Sequence, residues 1–152
     1  MYYLCSIGSN IEPIHHVNRV IGELLEQFGR LTLSSAIRTQ PVGMVSQNDF
    51  INCLFVIHSP HPREELKRRF IQLELAHGRD RGDPACKIRD RPLDIDILAS
   101  DEAGHFLHVE VDEYLRDLLA ELHGMPVEIA GKIALSPQGR RLDTRPQMLE
   151  RS

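Results

Sequence analysis

The predicted core of this chain ends in the strand Arg91-Pro92-Leu93-Asp94-Ile95-Asp96-Ile97-Leu98, which carries two aspartates one residue apart. Its branched apolar residues favour a strand, and side chains two positions apart on a strand share a face. Asp94 and Asp96 are therefore predicted to point the same way. Two carboxylates this close repel each other unless a cation lies between them. Hard oxygen ligands suit Mg²⁺, which completes its shell with water and phosphates.

Arg91 lies beside the aspartate pair, and arginine favours phosphate, so the first interpretation is a magnesium-nucleotide site. Two others remain open: an edge strand with one polar face, or an aspartate pair held by arginines. Residues 79–91 carry five arginines and lysines against three aspartates. Such a basic loop in an acidic protein suits a small anionic ligand, and a solvated mixed-charge loop is the alternative.

Length and composition predict one domain over residues 1–152. Because 41% of the residues are apolar and 26% are charged, the chain is expected to be neither disordered nor membranous. The net charge of −4 does not support nucleic-acid binding. The three cysteines have no CxxC spacing and no signal peptide is visible, so reduced thiols in a cytoplasmic protein are expected.

Apolar periodicity and turn residues predict the elements around the octapeptide. The expected strands are residues 2–7, 31–38, 50–57 and 93–98, and the expected helices are 13–28, ended by Gly29, and 62–77, capped by Ser59. This order predicts an α+β, ferredoxin-like βαββαβ core, a four-stranded antiparallel sheet with both helices on one face. Leucines at 115, 118, 119 and 122 predict a C-terminal helical extension, and the tail at 136–152 is expected to be loosely ordered.

Four stretches, in this order and at these intervals, resemble the 6-hydroxymethyl-7,8-dihydropterin pyrophosphokinase (HPPK) family. They are Gly8-Ser9-Asn10, residues 38–43 followed by 48–52, Glu74 with Gly78-Arg79, and residues 91–98. The family transfers a pyrophosphoryl group from ATP to the hydroxymethyl oxygen of a dihydropterin and releases AMP in folate biosynthesis. The resemblance covers residues 1 to about 100 and implies the same activity, with ATP and the dihydropterin as small-molecule partners and no nucleic acid or membrane.

The resemblance also implies roles for individual residues. Asp94 and Asp96 would bind two Mg²⁺ ions that bridge the ATP phosphates, and Arg79 and Arg91 would be the catalytic, phosphate-binding arginines. The nucleotide site would also include Glu74 and Arg116. The pterin site would comprise Gly8, Thr39, Val42, Gly43, Phe50 and Asn52.

Structural interpretations stay open beside several of these roles. Phe50 is also a plausible core aromatic, and Asn52 a polar strand residue that faces solvent. Thr39 is also explained as a turn residue, and Glu74 as a surface charge on its helix.

Two regions depart from the family pattern. The chain has no tryptophan, whereas family members commonly carry one in the loop before the last motif, where this chain has residues 87–91. Glu110 falls near a family histidine, and a carboxylate there would repel phosphates. Two alternatives follow: a relative that binds pterin or nucleotide without turnover, and a pyrophosphokinase for a differently substituted pterin.

Overall fold

The computed structural model describes residues 1–40, 48–79 and 91–151. Three helices and seven strands are assigned in this part of the chain. The strands are β1 (Tyr2–Ser9), β2 (Arg30–Leu33), β3 (Ala36–Thr39), β4 (Phe50–His58), β5 (Asp94–Asp101), β6 (Lys132–Ile133) and β7 (Gln147–Glu150). The helices are α1 (Pro13–Phe28), α2 (Arg63–Ala76) and α3 (Glu113–Leu122). None of the helices within the described ranges is long and apolar enough to cross a membrane.

The strands form one antiparallel sheet in the order β5-β1-β4-β2-β7, and β3 pairs with both β4 and β6. The α+β class is therefore as predicted, but the sheet has seven strands rather than four. Because β1 lies between β4 and β5, residues from these three distant segments become neighbours across the sheet.

The predicted strand at 31–38 is interrupted at Ser34 and Ser35, which separate β2 from β3. The Ser34 hydroxyl accepts a hydrogen bond from the backbone N–H of Leu54 at 2.7 Å and donates one to the carbonyl of Ser35 at 2.8 Å. A serine side chain can replace a backbone group in this way and so competes with a regular strand. Both halves still pair with β4.

The prediction of a loosely ordered tail is wrong for the described residues 136–151. This segment contains a short 3-10 turn (Pro137–Gly139) and strand β7, which pairs with β2. Leu135, Leu142 and Leu149 are buried in the main core. Single leucines seven residues apart in a Pro- and Gly-containing segment show neither the two-residue alternation of a strand nor the three- and four-residue spacing of a helix, so the sequence gave no clear sign of this packing.

The sheet is covered on both faces. Alternate residues of β1, including Cys5 and Ile7, share one core with α1 and α2, while Leu4 belongs to a second core with α3. This arrangement follows from the two-residue alternation of side chains along a strand. Cys5 and Cys53 are free thiols in the interior, and Cys86 lies outside the described residues.

The helix ends are only partly as predicted. Gly29 closes α1 with a positive φ of 79°, and its N–H donates to the carbonyl of Leu25. Ser59 does not cap α2, because the N-cap position is Pro62 and the Ser59 hydroxyl instead accepts from the N–H of His61. Three residues, Pro60, His61 and Pro62, separate Ser59 from the helix, so its side chain closes a turn before the helix begins.

Candidate functional site

Neighbouring strands bring the motif residues together on the sheet face that also packs against α3. Gly8 of β1 lies opposite Asn52 of β4 on one side and opposite Asp94 of β5 on the other. Ser6 lies opposite Asp96 in the same register. Directly opposed residues of antiparallel strands point to the same face. The register therefore places the aspartate pair and Asn52 on one surface.

Gly8 is needed because of this close approach. A Cβ atom at position 8 would lie 2.8 Å from the Oδ1 atom of Asn52. Real Cβ atoms do not come this close to a polar atom, so a side chain at position 8 would displace Asn52. The glycine of the Gly8-Ser9-Asn10 stretch thus makes room for a side chain on the neighbouring strand.

A cavity of about 590 Å³ opens at this surface, within the size range of small-molecule sites. One wall comes from the strands and the residues beside them, and the other comes from the N-terminal end of α3. The lining residues are Ser6, Gly8, Thr39, Gln40, Phe50, Asn52, Arg91, Asp94, Asp96, Asp112, Glu113 and Tyr114.

Asp94 is held by two arginines. Arg79 Nη1 donates to Asp94 Oδ1 at 2.6 Å, and Arg91 Nη1 donates to Asp94 Oδ2 at 3.1 Å. The same Arg79 nitrogen donates to Glu74 Oε2 at 2.9 Å. Charge-assisted hydrogen bonds of this kind are stronger than neutral ones. The arginine-held aspartate considered from the sequence is therefore what the described structure shows, and it lies at the edge of a cavity.

Glu74 lies beneath the site and is completely buried. Its Oε2 atom accepts from Arg79 and also from the backbone N–H of Ile95 at 2.8 Å. The interpretation of Glu74 as a surface charge is therefore wrong. The carboxylate joins the C-terminal part of α2 to strand β5 between the two aspartates.

Asn10 anchors Arg91 from the turn after β1. The Asn10 side-chain oxygen accepts from the backbone N–H of Arg91 at 2.6 Å, and the Asn10 N–H donates to the Arg91 carbonyl at 3.0 Å. This pair of bonds holds the start of the octapeptide against β1. The sequence offered Gly8-Ser9-Asn10 only as part of a resemblance, and this role of Asn10 was not anticipated.

Asp96 also lines the cavity, and among the described residues it has no arginine contact like those of Asp94. Burial, the negative charge of Asp94 and a hydrogen bond between the two carboxyl groups raise the pKa of Asp96 to about 6 from an ordinary 3.8. A raised pKa means that the folded protein disfavours a second negative charge here. The site therefore holds a carboxylate pair whose repulsion a cation would relieve.

The strand wall carries an aromatic ring and an amide. Asn52 is buried and donates from Nδ2 to Thr39 Oγ1 at 2.5 Å, so it does not face open solvent as one interpretation had it. Phe50 is mostly buried and also lines the cavity, so it serves the core and the cavity wall together. Thr39 lies directly opposite Phe50 in the β3–β4 register.

Some residues implied by the resemblance lie elsewhere. Arg79 is buried behind Asp94 and is not part of the cavity lining. Arg116 is exposed on α3 and does not line the cavity. Val42 and Gly43 lie outside the described residues.

The α3 wall was missed from the sequence. Asp112, Glu113 and Tyr114 line the cavity, and burial together with the Asp112 carboxylate raises the pKa of Tyr114 to about 12. The acidic residues before a leucine-rich helix are an ordinary helix-start pattern, so they gave no separate signal. Only the packing of α3 on the sheet face reveals that they face the site.

The sequence is similar to known pterin pyrophosphokinases. The family model described as 7,8-dihydro-6-hydroxymethylpterin-pyrophosphokinase (HPPK) matches residues 4–126. Two curated relatives, from two strains of Porphyromonas gingivalis, are named 2-amino-4-hydroxy-6-hydroxymethyldihydropteridine pyrophosphokinase. Each is 33% identical over 95 residues, an alignment that covers 61% of this chain and 65% of the relative. The family match spans most of the chain, including the cavity, and the chain therefore belongs to the HPPK family.

Proposed function

We propose that this protein transfers a pyrophosphoryl group from ATP to the hydroxymethyl group of 6-hydroxymethyl-7,8-dihydropterin and releases AMP, a step of folate biosynthesis. One observation carries the proposal. A single cavity has Phe50 and Asn52 on its strand wall and the Asp94–Asp96 pair with Arg91 across β1 from them. Such a cavity offers one region for a flat heterocycle and another for charged phosphates.

The pterin end consists of Phe50, Asn52 and Thr39. A phenylalanine ring stacks on a flat heterocycle with a gain of about 0.5–1.5 kcal/mol beyond area burial. An asparagine amide has both donors and an acceptor, which suits the amide and amino edge of a pterin. The Asn52–Thr39 hydrogen bond fixes the orientation of this amide before the substrate binds. Val42 and Gly43 are proposed to cover this end.

The residues at the phosphate end fit Mg²⁺. Among the described residues no three His, Cys, Asp or Glu side chains form a metal-binding group. Mg²⁺ commonly takes one or two carboxylates, which is what Asp94 and Asp96 supply at the cavity. Each Asp94 oxygen accepts one arginine N–H, and the Asp96 carboxyl group lies in the same cavity. We propose that Asp94 and Asp96 hold two Mg²⁺ ions, which when bound would neutralise the triphosphate.

The two arginines have different roles in this proposal. Arg91 lines the cavity, so its guanidinium can contact phosphate oxygens while it remains close to Asp94. Arg79 stays behind Asp94 and orients that carboxylate through its hydrogen bond. In phosphoryl transfer most of the catalysis is positioning and charge stabilisation, so losing either arginine should slow turnover. Glu74 would act through Arg79, and Arg116 would reach the nucleotide from α3.

The reaction needs no nucleophile from the protein. The hydroxymethyl oxygen attacks the β-phosphorus of ATP, the bond between the β-phosphorus and the oxygen of AMP breaks, and the hydroxyl proton is released. The buried thiols Cys5 and Cys53 have pKa values raised by burial, so they are not thiolates at neutral pH. The protein's own residues therefore bind and orient the two substrates.

AMP release is the direct test. Purified protein with ATP, Mg²⁺ and the dihydropterin should release AMP, and omission of either Mg²⁺ or the pterin should abolish it. Asp96→Ala should reduce the rate at least about a hundredfold, as expected for removal of transition-state charge stabilisation. Asp117→Ala, an exposed carboxylate on α3 that does not line the cavity, is the matched control. No AMP release from a folded protein would contradict the proposal.

A second candidate function is binding without turnover, or turnover of a differently substituted pterin. The α3 wall favours it, because Asp112 and Glu113 bring two further carboxylates to a cavity meant for a triphosphate. Calorimetry that shows pterin or nucleotide binding without AMP release would favour a binding protein. A panel of substituted pterins in the AMP assay would identify an altered substrate.

Two further proposals concern the whole chain. Strands β5, β1, β4 and β2 with helices α1 and α2 follow the order of a ferredoxin-like core, so we regard the remaining strands as additions to it. We also propose that residues 1–152 form one cytoplasmic domain.

A further inference from the structure

We propose that His77, clamped between Glu23 and His16, is a positioning residue that holds the C-terminal turn of α2 and thereby orients Arg79 at the site. The three side chains form what we call the imidazole clamp. The inference rests on the proposed function only for its catalytic consequence, because the orientation of Arg79 is measurable in the protein without substrates.

The clamp joins α2 to α1 through both nitrogens of one buried ring. His77 Nε2 lies 2.5 Å from Glu23 Oε1, and His77 Nδ1 lies 2.8 Å from His16 Nδ1. The His77 side chain has no exposed surface, and His16 is also buried. Both contacts are at hydrogen-bond distance, so the ring of His77 is fixed in position and in rotation.

The clamp needs at least one of the two imidazole rings, His16 or His77, to be neutral. Between two Nδ1 atoms one must donate and the other accept, so two imidazolium rings cannot share this bond. Burial, then the nearby rings of His77 and His15, lower the pKa of His16 below its ordinary 6.5, and Arg19 acts in the same direction. Glu12 opposes this effect. A neutral His16 beside a His77 that donates to Glu23 satisfies every contact.

A short path of backbone bonds leads from the clamp to the candidate site. The N–H of His77 and the N–H of Arg79 both donate to the carbonyl of Glu74, at 3.2 and 3.0 Å. Between them Gly78 takes a positive φ of 93°, which turns the chain back on itself. Arg79 in turn donates to both Glu74 and Asp94. A shift of His77 would therefore move the Arg79 guanidinium relative to Asp94.

Stability alone does not explain these residues. Burying polar and ionisable groups costs desolvation energy, and apolar residues of similar size often give an equally stable fold. A buried polar network whose hydrogen bonds are all satisfied fixes one arrangement of its side chains. Such an arrangement is needed at His77, because this residue lies two positions before Arg79 and helps to orient it. The other histidine at a helix C-cap, His123 on α3, bonds to Leu119 and Phe106 but lies at the opposite end of α3 from the cavity.

His77→Leu tests the clamp, and His123→Leu is the matched control because it removes a C-cap imidazole away from the site. His77→Leu is expected to lower kcat for AMP release by about tenfold or more, as for a small misplacement of a catalytic group, with little change in the pterin KM. His123→Leu should keep kcat near the wild-type value. His77→Gln, whose amide can bond to both Glu23 and His16, should restore most of the activity.

A second measurement works without turnover. In wild-type protein the Arg79 side-chain N–H signal, assigned by its loss in Arg79→Lys, should exchange slowly with solvent by NMR. His77→Leu should accelerate this exchange, and His123→Leu should not. If His77→Leu unfolds, Glu23→Gln provides a milder variant with the same expected direction. Unchanged Arg79 exchange in a folded His77 or Glu23 variant would overturn the inference, as would changed exchange with an unchanged kcat. Absence of AMP release from wild-type protein would overturn only the proposed function.

Discussion

Asp94 and Asp96 lie one residue apart on the same face of β5, but their surroundings differ. Asp94 is mostly buried and bonds to Arg79 and Arg91, whereas Asp96 is exposed to the cavity and has a raised pKa. The first carboxylate is therefore part of the structure of the site. The second carries an unfavourable charge in the protein alone, which a bound cation would compensate.

This difference predicts opposite effects on stability. Asp94→Asn should lower the free energy of unfolding by about 1–3 kcal/mol, because Arg79 loses a charged partner in a buried position. Asp96→Asn should not lower it at pH 7 without magnesium, because the variant removes repulsion from Asp94. Urea unfolding measures both values. Equal destabilisation by the two variants would contradict this account. Both variants should lose magnesium-dependent AMP release.

At the scale of single elements, helix α3 forms part of the cavity wall and the imidazole clamp joins α1 to the end of α2, although neither belongs to the sequence motifs. The N-terminal end of α3 forms the second wall of the cavity, and its residues Asp112 and Glu113 are exposed there. The helix buries Leu115, Leu118 and Leu119 against the sheet, which fixes the direction of its first turn. Two carboxylates are thereby placed near the proposed triphosphate position.

The acidic wall should weaken nucleotide binding. The double variant Asp112→Asn with Glu113→Gln is expected to bind magnesium-ATP more tightly by about two- to fivefold, the range of exposed charge interactions. The gain should shrink at high ionic strength, because salt screens exposed charges. Calorimetry at low and high salt measures it, and Asp117→Asn is the control. An unchanged affinity at low salt would show that the wall does not face the phosphates.

The clamp on α1 should make stability depend on pH. The pKa of His16 is lowered in the folded protein, so the unfolded chain takes up a proton first as pH falls. Neutral His16 therefore contributes fully to the free energy of unfolding above pH 6.5, the ordinary histidine pKa, and this contribution is lost as the pH falls below that value. The free energy of unfolding, measured with urea between about pH 5 and 8, should depend less steeply on pH in His16→Gln than in the wild-type protein. His105→Gln, at an exposed position, should keep the pH dependence of the wild-type protein.

At the scale of the whole molecule, the site and the C-terminal strand lie at opposite edges of the sheet. Strand β5, with the aspartates, is at one end of the strand order, and β7 is at the other. Leu149 of β7 is buried in the main core, while its neighbour Met148 is 58% exposed. None of the described tail residues 136–151 lines the cavity, so the tail contributes to the core and not to the cavity wall.

A substitution in β7 should consequently lower the stability of the protein without changing its activity. Leu149→Ala is expected to lower the free energy of unfolding by about 2 kcal/mol, as for a truncated core leucine. The rate of AMP release at a temperature where the variant is folded should not change. Met148→Ala should affect neither quantity. A reduced kcat in folded Leu149→Ala would mean that the far edge of the sheet is coupled to the site.

The sequence by itself determined the α+β class, the three helices and the motif residues of β1, β4 and β5. These predictions rest on local patterns, namely the apolar period, the turn residues and the two-residue spacing of the aspartates. The family was identified from the same residues, and the match over residues 4–126 confirms it. The proposed metal and pterin contacts stay predictions.

Only the tertiary structure decided which residues share the cavity with the aspartates. Packing of α3 brought Asp112, Glu113 and Tyr114 to the site, and antiparallel pairing placed Gly8 between Asn52 and Asp94. The burial of Glu74 and the contact between His77 and Glu23, 54 residues apart, also follow from helix packing. These features depend on contacts between distant segments, and such contacts leave no local period in the sequence. Asp94 and Asp96 shared a face by sequence alone, but the fold gave them different partners.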